Sequence, residues 1–142
     1  MTITGHTLTL AWGDFMGRVP GHARLQALTS TTYGVSTRHS MRGEHRHQSD
    51  FRLTTVSIQV GLNKAQMWSR PAGRTAALLN HEQGHYDITA LVMRDLDTDL
   101  TALQQSGQTF PTQRDLEQAI AALEGPAVAM VRRLQSTDTV DG

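Results

Sequence analysis

Leu78-Leu79-Asn80-His81-Glu82-Gln83-Gly84-His85 is the stretch on which the reading of the chain turns. It lies inside a longer run, about Thr75 to Gln105, where apolar residues return at helical spacing: Leu78, Ile88, Val92, Leu96, Leu100 and Leu103. Thr75 is suited to cap the start of this helix, and Ser106-Gly107 to end it. Residues four apart on a helix share a face, so His81 and His85 stand one turn apart with Glu82 beside them. Ile88, Val92 and Leu96 continue the same line, which places the histidines on the buried stripe. Imidazoles on a buried stripe need partners. Gly84 in mid-helix is unfavourable, and a close approach by a strand or a substrate would explain it as readily as simple tolerance.

A second helix is expected from about 112 to 135. Pro111 stands near its start, Asp115 and Glu117 suit its opening turns, and Leu116, Ile120, Leu123, Val128, Val131 and Leu134 supply an apolar face. Gly125-Pro126 should kink or interrupt it. The tail from Ser136 to Gly142 is polar and non-periodic. Upstream of the helices the chain reads as strands. Leu8, Leu10 and Trp12 alternate with Thr7, Thr9 and Ala11. Residues 24–38 suggest a hairpin broken at Gly34, and residues 39–50, with His39, His45 and His47, suggest a polar loop or hairpin tip. Val56, Ile58, Val60 and Leu62 alternate with polar residues and mark the best strand, 52–62. The chain is therefore expected to be α+β and a single domain over 1–142, with strands mainly in 7–68 and helices mainly in 75–135.

Lys plus Arg and Asp plus Glu are both 13, so there is no basic excess to hold a phosphate backbone, and nucleic acid is not an expected partner. There is no cysteine, which removes disulfides and thiolate metal sites. No apolar run approaches the length that spans a bilayer. Met1-Thr2-Ile3-Thr4-Gly5-His6 is not a basic segment followed by an apolar one, so no export signal is expected within the chain.

His81-Glu82-x-x-His85 points to zinc. Two imidazoles at i and i+4 can bind one ion at about 2.0–2.1 Å. The intervening Glu82 can then take a proton from water on that ion, as general base of a hydrolysis. A catalytic zinc needs a third protein ligand. Asp95, Asp97 and Asp99 lie roughly 15–21 Å along the helix from His85, and read as a solvated face. If the second helix returns antiparallel, facing residue numbers sum to about 217, so the tail past residue 134 reaches the level of the histidines. Glu117 and Glu124 fall short of it, by about 25 Å and about 15 Å. The tail offers Asp138 and Asp141. His45-Arg46-His47 could form a second metal site, although a polar loop is more often only solvated. An extended peptide could pair along 55–62 as an edge strand, and Tyr86, Tyr33, Arg132 and Arg133 are available as oxyanion donors.

These residues resemble a known family. His81 to Ile88 preceded by Leu78-Leu79, the opening Trp12-Gly13-Asp14-Phe15-Met16-Gly17, and Val56 to Trp68 ending in Gln66-Met67-Trp68 look like the bacterial domain-of-unknown-function family 922, zinc-dependent proteases of the zincin type. The resemblance implies a zincin-like fold: a small twisted, mostly antiparallel sheet on the active-site helix, with an antiparallel helix behind it. It implies a zinc metallopeptidase acting on peptides or proteins, in a periplasmic or secreted setting. Its closing pattern, Tyr-Asp-x-x-Thr-x-His-Gly, meets Gln135-Ser136-Thr137-Asp138-Thr139-Val140-Asp141-Gly142 here. Thr139 and Gly142 match. Asp141 stands in the place of the family's histidine, and becomes the expected third ligand beside His81 and His85. Gln135-Ser136 departs from Tyr-Asp. That departure leaves two rival readings: a zincin-like binding or scaffold protein with an incomplete site, and a hydrolase of a non-peptide bond such as one in the cell wall.

Overall fold

A computed structural model describes the backbone of residues 2–45 and 48–141, and the side chains of 2–41 and 50–134. The chain is a mixed α+β structure. Strands β1 (Ile3–Thr4), β2 (Ala27–Leu28), β3 (Thr31–His45), β4 (Gln48–Leu62) and β5 (Trp68–Ser69) precede helices α1 (Ala76–Ser106) and α2 (Gln113–Asp141). β1, β4 and β3 form one sheet in that order, with β4 in the middle, parallel to β1 and antiparallel to β3. β2 and β5 form a separate antiparallel pair. α1 packs on β4 and against α2.

α1 has the expected bounds because its caps work. Thr75 is extended, and its hydroxyl accepts the Leu78 N–H at 3.1 Å. Gly107 takes the left-handed conformation, at φ 67°, that glycine reaches without strain. Val56, Ile58 and Val60 of β4 are buried in alternation, as their spacing requires. They meet Met93, Leu96 and Leu100 of α1 and Leu116, Ile120 and Val131 of α2 in one apolar cluster.

Several expectations fail for physical reasons. Residues 8–11 join no sheet. Their backbone is satisfied by a side chain: Gln83 accepts the Leu10 N–H at 2.7 Å and donates to the Leu8 carbonyl at 3.0 Å. Of the alternating apolar residues only Leu10 is buried; Leu8 is 41 % exposed and Trp12 half-buried. Gly34 does not break a hairpin; it sits inside β3, opposite Gln59. Of the two readings of residues 39–50, the hairpin end holds and the loop does not, because the β3–β4 ladder runs on through Arg42–Asp50 to His45–Gln48. Backbone pairing is indifferent to the polarity of exposed side chains. Phe51 also exchanges two backbone bonds with Phe110, at 2.9 and 2.8 Å, tying the hairpin to the turn between the helices. The strand at 55–62 is not an edge. β4 lies between β1 and β3, which are the two edges of the sheet, β1 over 2 residues and β3 over 15.

α2 is continuous through Pro126, so the expected interruption at Gly125-Pro126 does not occur. It also runs to Asp141 in place of a non-periodic tail. Asp97 is not on a solvated face. It is 4 % exposed and accepts a hydrogen bond from the Thr2 hydroxyl beside β1.

The opening motif docks on residues 64–67. Trp12 and Phe15 pack with their rings tilted by 50° and centroids 4.9 Å apart. Asp14 accepts the Ala11 N–H at 2.8 Å and pairs with Lys64 at 3.0 Å. That backbone bond, then the Lys64 ammonium, hold its carboxyl below the usual range, against a smaller opposing effect of burial. The Gly17 N–H donates to the Met67 carbonyl at 2.6 Å, and a Cβ at Gly17 would collide with the carbonyls of Ala65 and Met67. Gly17→Ala is therefore expected to cost about 1–3 kcal/mol, as overpacking does. Urea denaturation checks this; a midpoint equal to the parent's would show that the 64–67 turn yields freely.

Candidate functional site

The first three turns of α1 place three different chemistries around one helix. Successive residues turn by about 100°, so an i+4 step returns to the same face with a drift of about 40°. Ile88, Val92, Leu96 and Leu100 form such a drifting line. It runs from solvent, where Ile88 is 42 % exposed, through partly buried Val92 to fully buried Leu96 and Leu100. The histidines are thus not on the buried stripe. His81 is exposed and His85 half-buried, on the flank where the line enters the core. The stripe itself is Glu82, Tyr86, Thr89, Ala90, Met93, Leu96, Asp97 and Leu100.

On that flank the two rings converge. His81 and His85 lie edge to face with centroids 4.5 Å apart, and their Nε2 atoms are 2.9 Å from each other. A tetrahedral zinc with bonds of 2.0–2.1 Å holds two nitrogens about 3.3 Å apart, so an opening of a few tenths of an ångström suffices. The pair therefore fits two positions of such a shell. Among the described residues no set of three His, Cys, Asp or Glu side chains could hold a metal. The side chains of Asp138 and Asp141 lie outside the described residues, as do those of His45 and His47. His39 instead packs against Phe51, with centroids 6.0 Å apart.

Glu82 is only 2 % exposed. Its Oε2 accepts the Thr29 hydroxyl at 2.9 Å. Thr29 follows directly on β2 and precedes β3, so the sheet side of the molecule reaches the carboxylate. The third neighbour, Gln83, faces the other flank. Besides its two bonds to Leu8 and Leu10, its Nε2 donates to Asp87 Oδ1 at 2.9 Å. The two variable positions of His-Glu-x-x-His are thus divided. Gln83 anchors the N-terminal arm, while a Cβ at Gly84 would meet nothing within 4 Å. No described strand crowds Gly84.

Compared with protein-family models, curated proteins and solved structures, the chain matches none. The likeness to the zincin-type family therefore rests on the motif residues of the sequence alone.

Of the donors considered for an oxyanion, Tyr86 is wholly enclosed. Burial raises its pKa; the nearby Leu8 backbone lowers it in part, and the Asp87 charge raises it further. Tyr33 is half-buried on β3, and Arg132 and Arg133 are exposed on α2. A groove of about 510 Å³ lies between the arm and α1, lined by His6, Leu8, Asn80, Gln83 and Asp87 among others. None of His81, Glu82 or His85 lines it. No described helix is long and apolar enough to cross a membrane.

Thr29 and Gln83 escaped the sequence reading for different reasons. Thr29 is separated from Glu82 by 53 positions, and the folded chain brings them together where β2 and β3 meet α1. Gln83 carried a signal: a polar residue one turn from an apolar pair, opposite a segment with an alternating pattern and no partner strand.

Proposed function

We propose that the chain is a zinc-dependent hydrolase, most simply a zincin-like metallopeptidase, with His81 and His85 as metal ligands and Glu82 as general base. The convergence of the two Nε2 atoms at 2.9 Å, on the helix turn that also carries Glu82, supports this reading above all else. When bound, zinc supplies Lewis acidity, polarising a carbonyl and making water more acidic. Glu82 then accepts the water proton and returns it to the leaving amine. Its Oε2 is engaged by Thr29, which leaves Oε1 for that work. An extended peptide substrate would pair with the free edge of β3, whose first residues follow Thr29.

The third ligand comes from the C-terminal stretch in this proposal. The resemblance favours Asp141. The observed helix ends, Ser106 and Gln113, make facing residue numbers sum to about 219 in an antiparallel pair. In an unbroken helix Asp138 is then level with residue 81, and Asp141 about 5 Å further on.

The departure of Gln135-Ser136 and Asp141 from the family's closing pattern favours a second reading, a zincin-like binding protein with an incomplete site. One experiment separates the two. Zinc-loaded protein is incubated with an unfolded protein such as reduced casein, with and without a strong chelator. Cleavage that stops on chelation and returns with about one zinc per chain is expected. Bound zinc without cleavage of any protein or cell-wall substrate would overturn the hydrolase reading in favour of the binding protein.

A further inference from the structure

We propose that Thr29 is a positioning residue for Glu82: its hydroxyl fixes the rotation of the carboxylate, so that one oxygen is held and the other is presented to the reacting water. The inference rests on the reading of Glu82 as the base.

The bond is a single contact, Thr29 Oγ1 to Glu82 Oε2 at 2.9 Å. Its surroundings give it weight. Glu82 is nearly enclosed, so bulk water cannot substitute freely for a lost donor. A carboxylate accepting one strong hydrogen bond is restricted in rotation, whereas an unrestrained one explores a broad, roughly two-fold range. Thr29 is also the end of a clasped segment. β2 pairs Ala27 with Ser69 and Leu28 with Trp68. The Arg70 N–H donates to the Gln26 carbonyl at 2.8 Å. The Arg70 guanidinium donates to the carbonyls of Leu25, at 3.2 Å, and Ala23, at 2.6 Å. On the other side the Asn63 N–H donates to the Ser30 carbonyl at 2.9 Å. Thr29 thus stands between two backbone anchors, and its β-branched side chain has few rotamers.

This arrangement joins the site to the segment that leads into it. Arg70 lies between β5 and α1, so the segment that leads into the helix of His81 and Glu82 also holds the stretch before Thr29. A hydroxyl there is not needed for packing, because Val fills nearly the same volume. Its use is the direction it gives to the carboxylate.

The test compares Thr29→Val, Thr29→Ser and the parent, with Thr29→Ala as a second deletion should Val fold poorly. The first measurement needs neither zinc nor substrate: the ¹³Cδ resonance of Glu82 in metal-free, glutamate-labelled protein, assigned by its loss in Glu82→Gln. It is expected to shift in Thr29→Val and to stay near the parent in Thr29→Ser. The second is casein hydrolysis by the zinc-loaded proteins. In Thr29→Val, kcat is expected to fall on the order of 10- to 100-fold with KM little changed, as a misplaced catalytic group does. Thr29→Ser should recover most of the rate, and zinc affinity should be equal in all three. An unmoved resonance in Thr29→Val overturns the inference. So does a moved resonance with an unchanged kcat. A parent that shows the shift on substitution but cleaves nothing removes the base reading instead, and the positioning role falls with it.

Discussion

His85→Ala is expected to lower zinc affinity more than about 100-fold, because the loss of a metal-bound ligand should exceed the 10–100-fold cost of losing an outer partner. His81→Ala should do the same. The two Nε2 atoms are 2.9 Å apart on one helix flank, so each variant leaves a single imidazole where two had converged. The fold should survive. His81 is exposed and His85 half-buried, and neither belongs to the buried stripe that holds α1 to the sheet. Stability of the metal-free variants should stay within about 1 kcal/mol of the parent, since sites outside a core usually change it little. Competition against a chromophoric chelator measures the affinity, and circular dichroism during denaturation measures the stability. Equal zinc affinity in the parent and both variants would remove the metal site from this flank.

The same titration locates the third ligand. Asp138→Ala and Asp141→Ala are compared with Glu124→Ala. Burial raises the Glu124 carboxyl above its ordinary pKa. On the antiparallel levels it faces residue 95, about 18 Å from the histidines. Glu124→Ala should leave zinc affinity unchanged, and loss in one of the aspartate variants should identify the ligand. Loss in Glu124→Ala alone would overturn the helix pairing as well as the assignment.

How far the sequence could be read depended on the range of the interactions. α1 was legible to within a residue because its signals are local: Thr75 caps its own first turn, and Gly107 ends the helix through its own backbone. β4 was legible because Val56, Ile58 and Val60 alternate against a core. The rotation of α1 was read wrongly. An i+4 line was treated as one face, although its drift carries Ile88 to solvent and Leu100 to the interior. The error matters for the chemistry. The corrected rotation leaves the histidines reachable from outside and turns Glu82 inward, a division of roles that the motif spacing alone does not give. The outer half of the long hairpin is polar, so residues 39–50 read equally as a loop or as a hairpin tip. A ladder continues as long as both backbones remain extended, and side chains between 39 and 50 hold no information about that pairing. Thr29, Gln83 and Asp97 all owe their roles to partners at least 53 positions away. Such contacts depend on how the elements assemble, which single-residue chemistry does not reveal.

Glu82→Gln should separate binding from catalysis more cleanly than any other change. Gln has the same length, and its side-chain carbonyl can still accept the Thr29 hydroxyl, so the held half of the group is preserved. What is lost is the oxygen that could take a proton. Zinc affinity is therefore expected to stay near the parent's while hydrolysis falls by a factor on the order of 100 to 10,000, the usual contribution of a positioned base. Glu82→Ala makes the contrast. It removes the base too, but it also takes the acceptor from the half-buried Thr29 hydroxyl, and a fully buried donor left unsatisfied costs about 1–3 kcal/mol, which is the upper bound here. The two variants should then be equally inactive and unequally stable, with Gln near the parent and Ala below it. Steady-state cleavage of casein and urea denaturation give both quantities. A Gln variant that hydrolyses at the parent's rate would show that another group carries the proton. An Ala variant as stable as the parent would show that the Thr29 bond carries no stabilisation, and the enclosed setting of Glu82 would then need a different explanation.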